Sequence, residues 1–139
     1  MPQWHERSFP HHGSSVGEAR KFAVDALSTW GVRDRLDDVC QCLSEVATNA
    51  LVHAGPPSSG FRARLTIGAA TVRLEVHDQG AGRPRRRQPS LDDPSGRGLF
   101  LVDELSDEWG VDDGHGIGKT IWLTFKVTTG TLRTPECEI

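Results

Sequence analysis

The chain has 139 residues, enough for one domain with a single hydrophobic core. Hydrophobic residues make up 36% and charged residues 25%, a balance typical of globular proteins that excludes an intrinsically disordered chain. The net charge of -3 gives no basic footprint for nucleic acid, and no apolar run is long enough to span a bilayer.

The cysteines and the N-terminus indicate where the protein works. Cys40 and Cys42 lie two residues apart, a spacing that points them in different directions on a helix, and Cys137 stands alone. Neither a disulfide framework nor a zinc pattern is present, and the N-terminus lacks the apolar core of a secretory signal. We therefore expect a reducing, cytoplasmic setting.

The first elements are an N-terminal segment and a helix. Residues 1–13 are expected to be irregular or an edge strand. Ser15 and Glu18 have the spacing of a capping box, so the first helix should begin there. It should run to about Trp30, where Gly31 supplies the stop.

The next helix carries the most informative pattern of the chain. It should open at Arg33 and end at Gly55, and one apolar stripe follows helical spacing. The stripe contains Leu36, Val39, Cys40, Leu43, Ala47, Ala50, Leu51 and Ala54. Glu45, Asn49 and His53 recur every four residues on the other side.

Apolar residues are interspersed among these three polar positions, at Cys42, Val46 and Val52. Both sides of the helix should therefore be at least partly covered. A carboxylate and an amide in a half-covered wall are costly unless something binds them. The alternative interpretation is an ordinary solvated helix face.

A hairpin follows, with strands that alternate between apolar and polar residues from Phe61 to Ile67 and from Thr71 to His77. The turn is expected at residues 68–70. The next residue in the inward-facing phase of the second strand is Asp78. A carboxylate that continues a core-facing register is unusual, although an aspartate that caps a turn before Gly80 is a common alternative.

Glycines at 80 and 82 predict a loop, and three prolines in residues 83–95 predict a lid-like segment. The run Arg85–Arg87 within it is either solvated surface or a contact for phosphates or a partner. Gly96 and Gly98 then open another helix, where free N–H groups can meet an anion.

The C-terminal part predicts two more strands. Residues 107–111 form a short one, residues 112–116 a turn, and Lys119–Val127 a longer one. Ile121, Leu123, Phe125 and Val127 share one side of that strand, and Thr120 lies on the other. The glycine spacing before Lys119 is wrong for a P-loop.

Four features stand in a fixed order: Glu45 with Asn49 on a helix, Asp78-x-Gly80-x-Gly82 after a strand, Gly96-x-Gly98 opening a helix, and Gly118-Lys119-Thr120 entering a strand. This order resembles the GHKL (Bergerat-fold) ATP-binding family. The stretches SEVATNALVHAG and GRGLFLVDELSDEWGV are most similar to its RsbW/SpoIIAB-like group of anti-sigma factors that are also serine kinases. The resemblance covers residues 14–127, between an N-terminal segment of residues 1–13 and a tail of residues 128–139.

The resemblance implies an α/β two-layer sandwich of the Bergerat type. Its sheet would be mixed but mainly antiparallel, with about three helices on one face. It also implies residue roles. Glu45 would be the catalytic base, Asn49 would ligate Mg²⁺, and Asp78 would accept a hydrogen bond from the adenine amine. The remaining nucleotide contacts would come from Gly80, Gly82, Gly96, Arg97, Gly98, Leu99 and Thr120.

The function implied is an ATP- and Mg²⁺-dependent serine/threonine kinase. Its substrate would be a STAS-domain anti-anti-sigma factor, and it would regulate transcription by switching between that partner and a sigma factor. A homodimer is left open, and neither nucleic acid nor a membrane is an expected partner. The alternative is a non-catalytic ATP-binding module that sequesters a protein. A detached histidine-kinase domain fits less well, because no dimerisation helix pair with an acceptor histidine is present.

Overall fold

The computed structural model describes residues 3–54, 60–78, 94–112 and 119–128, with residues 53–54 and 94–99 described only by their place in a helix. Within these ranges the chain forms five strands and three helices. In chain order they are β1 (Gln3–Phe9), α1 (Ser15–Thr29), α2 (Leu36–Ala54), β2 (Phe61–Ile67), β3 (Thr71–Asp78), α3 (Pro94–Leu105), β4 (Glu108–Asp112) and β5 (Lys119–Lys126).

The five strands form one sheet in the order β1-β2-β3-β5-β4. The sheet was expected to be mixed, but each pairing among the described strands is antiparallel. The N-terminal segment is the edge strand β1, which pairs with β2 from Gln3 to Phe9. The predicted hairpin is confirmed, since Gly68 N donates to Thr71 O at 2.9 Å across the turn between β2 and β3.

The core lies between one face of the sheet and the helices. Strand β2 buries every second residue, and so does β3 up to Val76. On β5 the buried positions include Ile121, Leu123 and Phe125, as the alternation predicted. These strands share one covered face, so the α/β two-layer sandwich is confirmed. We call the opposite side the open face.

Helix α1 begins differently from the prediction. Ser14 is its N-cap and makes no side-chain capping bond. The Ser15 hydroxyl instead donates to the Pro10 carbonyl at 2.7 Å, and Glu18 lies 3.8 Å from Arg7. The predicted capping box is therefore wrong, because the buried Ser15 hydroxyl satisfies the Pro10 carbonyl, which follows directly after β1.

The other boundaries lie close to the predictions. Helix α1 ends at Thr29, and Gly31 follows with a φ of 73°, as expected for a glycine stop. Helix α2 begins at Leu36, three residues later than predicted, and β4 is shifted by one residue. None of the helices in the described ranges is both long and apolar enough to cross a membrane.

Candidate functional site

Helix α2 lies at the centre of the helical layer, where it packs against α1, α3 and the sheet. Its most buried side chains include Val39, Cys42, Leu43 and Val46. Burial raises the pKa of the Cys42 thiol to about 12, so this cysteine is a neutral core residue. Cys40 and Cys42 are both free thiols, as their spacing predicted.

The two flanks of α2 have different neighbours. On one flank, Ser44 accepts a hydrogen bond from Arg20 of α1 at 3.0 Å. Glu45 and Asn49 lie on the other flank by helical geometry, which is the side left for α3. Both residues are half-buried, whereas Gln41 is exposed. This pattern favours the half-covered wall over the solvated face.

The polar side of α2 is less covered than the sequence predicted. Val52 was taken as a sign that the polar side is covered, yet its side chain is 68% exposed. The last turn of α2 therefore reaches solvent on that side. The side chain of His53 lies outside the described residues.

Asp78 lies where its register predicted. It ends β3 opposite Phe61 and continues the phase of Val76, so its side chain belongs to the covered face. The residue is half-buried, and its Oδ1 atom is closed off from solvent. A carboxylate at this depth can recognise a hydrogen-bond donor that enters between the sheet and the helices.

Thr120 does not join Asp78. It is the register partner of His77 and lies on the open face, where its hydroxyl is 2.8 Å from His77 Nδ1. His77 Nε2 in turn lies 3.3 Å from Glu75, which also receives a 2.7 Å bond from Arg73. The interpretation of Thr120 as an adenine contact therefore lacks geometric support, because strand alternation turns the hydroxyl away from the covered face.

These open-face contacts form a charged network. Burial opposes ionisation of Glu75, but the hydrogen bonds and charges of Arg73 and His77 outweigh it and lower the pKa of the carboxyl. The Arg73 guanidinium also lies 4.8 Å from the Trp122 ring centroid. Thr120 thus belongs to a polar layer on the open face, which stabilises the sheet on the side away from the helices.

The glycines of the predicted phosphate loop fall partly within α3. Gly96 lies within the first four residues of the helix, which begins at Pro94. Its N–H is among those that an α-helix leaves free at its N-terminus. Gly98 and Leu99 follow in the next turn, and Arg97 lies between the two glycines. Gly80, Gly82, the arginine run and the proposed lid up to residue 93 lie outside the described residues.

A cluster that the sequence did not reveal fixes the far end of α3. Arg35 donates to Asp38 at 2.9 Å, to Asp107 at 3.1 Å and to the carbonyl groups of Leu105 and Lys126. We call these residues the Arg35 clasp. It joins the start of α2 to the end of α3 and to β5, so it sets where α3 lies beside Glu45 and Asn49. In the sequence, the only sign of this cluster was an arginine near a predicted helix start.

A magnesium ion would have few protein ligands here. No group of three His, Cys, Asp or Glu side chains gathers as a metal site in the described ranges. Mg²⁺ keeps several waters and commonly takes one or two protein oxygens together with substrate phosphates. The half-buried amide of Asn49 fits that limited role.

A one-sided antiparallel sheet, with an acidic residue and an amide on its central helix and an aspartate at a strand end, defines a class of nucleotide-binding domain. Residues 9–125 match the histidine kinase-like ATPase domain family, and the chain belongs to that family. The GHKL resemblance drawn from the sequence is thereby confirmed.

Comparison with individual proteins shows which members of the family this chain resembles. The chain is 30% identical to the anti-sigma F factor of Bacillus licheniformis over 102 residues, which cover 66% of this chain and 69% of that protein. It is 29% identical to the anti-sigma F factor of Geobacillus stearothermophilus over 100 residues, 65% of this chain and 68% of that one. The chain is therefore an anti-sigma-factor-like member of the family.

Solved structures show the same fold. One contains the RsbU and RsbW domains of Rv1364c from Mycobacterium tuberculosis, with a TM-score of 0.69 and 20% identity. The match covers 90% of this chain and 32% of that one, so the present chain spans about a third of it. The histidine kinase domain of the Erythrobacter litoralis EL346 blue-light activated kinase follows with a TM-score of 0.52 and 21% identity, over 91% and 64% of the two chains.

Proposed function

We propose that this protein is an ATP-dependent serine/threonine kinase of the anti-sigma-factor type. Its substrate would be a STAS-domain anti-anti-sigma factor, and its second partner a sigma factor. One observation carries the proposal: the α2 flank with half-buried Glu45 and Asn49 faces the side of α3, while Asp78 lies on the covered face of the neighbouring sheet. The similarity to two anti-sigma F factors supports the choice of partners.

The nucleotide would lie between the sheet and the two helices. Asp78 would accept a hydrogen bond from the exocyclic amine of adenine, and Gly80 and Gly82 would let the chain close over the base. The first turn of α3 offers backbone N–H groups from Gly96 onward, the end of a helix that attracts anions. The segment from Gly96 to Leu99 would follow the phosphates.

Asn49 would hold Mg²⁺ against the phosphates. The metal would neutralise charge that builds up on the transferred group. One helical turn before Asn49, Glu45 has its Cβ about 5–6 Å from that of the amide residue. In this proposal its carboxylate would receive a proton near the phosphate chain.

In the transfer step, the bond that forms would be matched by one that breaks, and the released proton would have an acceptor. The substrate serine oxygen forms a bond to the γ-phosphorus as the bond from that phosphorus to the ADP oxygen breaks. The serine proton passes to the Glu45 carboxylate, which acts as general base. Positioned base catalysis of this kind is worth on the order of 10²–10⁴-fold in rate.

The decisive test separates binding from transfer. Glu45→Gln keeps the shape of the side chain and removes its basicity, so labelled-phosphate transfer to the cognate STAS protein should fall by at least about 100-fold. ATP affinity measured by calorimetry should remain within about threefold. Glu104→Gln removes a carboxylate from the exposed side of α3 and serves as the matched control.

Two results would contradict the proposal. Equal transfer rates for Glu45→Gln and the parent protein would remove Glu45 as the base. ATP binding without transfer to any STAS protein would favour the non-catalytic module that sequesters a partner. A pull-down from native cells with and without ATP and Mg²⁺ identifies the partner for this assay.

A further inference from the structure

The residue of β5 that shares the covered face with Asp78 is Lys119. The register of β3 and β5 places the two directly opposite each other. In an antiparallel pair, opposed residues project to the same face with Cβ atoms about 4.5–5.5 Å apart. The Lys119 side chain therefore projects from the sheet beside the Asp78 carboxylate, to which the proposed function assigns the contact with adenine.

Burial along β5 confirms which face this is. Ile121 is 6% exposed and Leu123 is fully buried, both in phase with Lys119. Thr120 is out of phase and contacts His77 on the open face. Lys119 itself is half-buried, as expected for a long side chain whose stem packs at the margin of the core and whose charged end stays near solvent.

Asp78 has unlike neighbours on its two sides. Its register partner on β2 is Phe61, which is fully buried, and its partner on β5 is Lys119. The covered face thus ends in a row of one ring, one carboxylate and one cation. A flat ring that enters this row meets an acceptor and a donor next to each other.

We propose that Lys119 is a specificity-determining residue of the nucleotide site, where its ammonium donates to a ring nitrogen of adenine while Asp78 accepts from the neighbouring amine. The inference depends on the proposed ATP binding. In adenine the exocyclic amine is flanked by two ring nitrogens, N1 and N7, which are both acceptors. A carboxylate beside an ammonium matches that donor–acceptor edge at two points.

The rival role for Lys119 is to neutralise Asp78 without touching the nucleotide. The two roles differ in their response to the base. A direct contact is lost when the ring nitrogen is replaced by carbon, as in 1-deaza-ATP or 7-deaza-ATP. Charge neutralisation of Asp78 is the same for ATP and for either analogue.

The experiment measures the affinity of ATP, 1-deaza-ATP and 7-deaza-ATP by calorimetry for the full chain and for Lys119→Met. A hydrogen bond from a charged donor contributes on the order of tenfold or more in affinity, so one of the analogues should bind the parent protein at least about tenfold more weakly than ATP. In Lys119→Met, ATP should lose that same factor and the preference over the analogue should disappear.

Lys126→Met controls for loss of a lysine from the same strand, since Lys126 is exposed at the opposite end of β5. Lys119→Arg keeps a charged donor and should retain most of the preference for ATP. Circular dichroism and the thermal unfolding midpoint establish that each variant is folded.

The outcomes separate this inference from the function on which it depends. If the parent protein binds ATP and Lys119→Met keeps the preference for ATP over both analogues, Lys119 does not contact the adenine ring. Only this inference is then overturned. If Lys119→Met weakens ATP and both analogues equally, Lys119 acts through Asp78 and the inference is again overturned. If the parent protein binds no ATP, the proposed function falls with it.

Discussion

At the scale of single residues, the open face contains a position that only glycine fits. Gly110 of β4 is the register partner of Trp122 on β5, and the indole lies across its backbone. A Cβ built at Gly110 would meet ring atoms of Trp122 at 2.7–2.9 Å. On the strand β3 side of that indole, the guanidinium of Arg73 lies 4.8 Å from the ring centroid.

We expect Gly110→Ala to destabilise the protein, because the indole must leave its place between β4 and Arg73. Overpacking of this kind costs about 1–3 kcal/mol. Urea unfolding gives the free energy, and near-UV circular dichroism should show a changed tryptophan environment. Gly17→Ala is the matched control, since a Cβ there has nothing within 4 Å.

Gly17→Ala should raise the stability by about 0.5–1 kcal/mol, because alanine loses less conformational freedom than glycine in a helix. If both substitutions change the stability by the same amount, the close approach at Gly110 does not explain the requirement for glycine.

Residue positions were predictable where they depend on local spacing. The four-residue step from Glu45 to Asn49 and the inward phase of Asp78 both appear in the structure. The face of Thr120 was not predictable, because alternation shows only that it opposes Ile121. Which of these two residues faces the helices depends on long-range pairing with β3.

At the scale of whole elements, hydrophobic periodicity predicted the three helices of the described ranges and the central hairpin. What it missed were contacts between elements that lie far apart in sequence. Arg35 donates to the carbonyl of Leu105, 70 residues away, and Ser15 donates to the carbonyl of Pro10, which follows β1. Both residues looked like ordinary helix-start residues, since a helix end is a local signal and a tertiary hydrogen bond is not.

The Arg35 clasp predicts a pH-dependent stability through Asp107. The Lys126 N–H donates to this carboxylate at 2.6 Å and Arg35 donates at 3.1 Å. The backbone bond from Lys126 and the contacts with Arg35 lower the pKa of Asp107 despite some burial. The ionised form therefore stabilises the folded state at pH 7, and that contribution is lost as the pH falls below about 4 and through the folded-state pKa.

Asp107→Asn should cost about 1 kcal/mol at pH 7, a modest figure because the side chain is 35% exposed. The difference from the parent protein should shrink between pH 4 and the folded-state pKa, as the parent carboxylate becomes neutral. Urea unfolding across that range measures it, with Asp25→Asn as a control for removing one exposed charge from α1. A difference that stays constant down to pH 3 would show that ionisation of Asp107 plays no part.

At the scale of the whole molecule, one layer of helices covers one face of the sheet, and α2 is shared by every part of the proposed site. Glu45 and Asn49 lie on its flank, α3 packs beside it, and β3 passes beneath it to Asp78. A nucleotide that contacts all three elements would join the sheet to the helical layer. Binding to the folded state alone must then raise the stability of the entire domain.

We therefore expect ATP with Mg²⁺ to raise the thermal unfolding midpoint. At 100 times the dissociation constant, linkage contributes about 2.7 kcal/mol, on the order of 10 °C for a domain of this size. Differential scanning calorimetry measures the shift as a function of ATP concentration. Asp78→Ala should abolish most of it, because alanine has no side-chain acceptor for the adenine amine.

Glu45→Gln should keep the full shift, since Glu45 is assigned to proton transfer and not to holding the nucleotide. Gln41→Ala, on the exposed side of α2, controls for substitution within this helix. A shift that persists in Asp78→Ala would place the adenine ring elsewhere on the molecule. A shift lost in Glu45→Gln would mean that the Glu45 carboxylate is needed to bind the nucleotide. The assignment of proton transfer to the α2 flank and of adenine binding to the end of β3 would then be wrong.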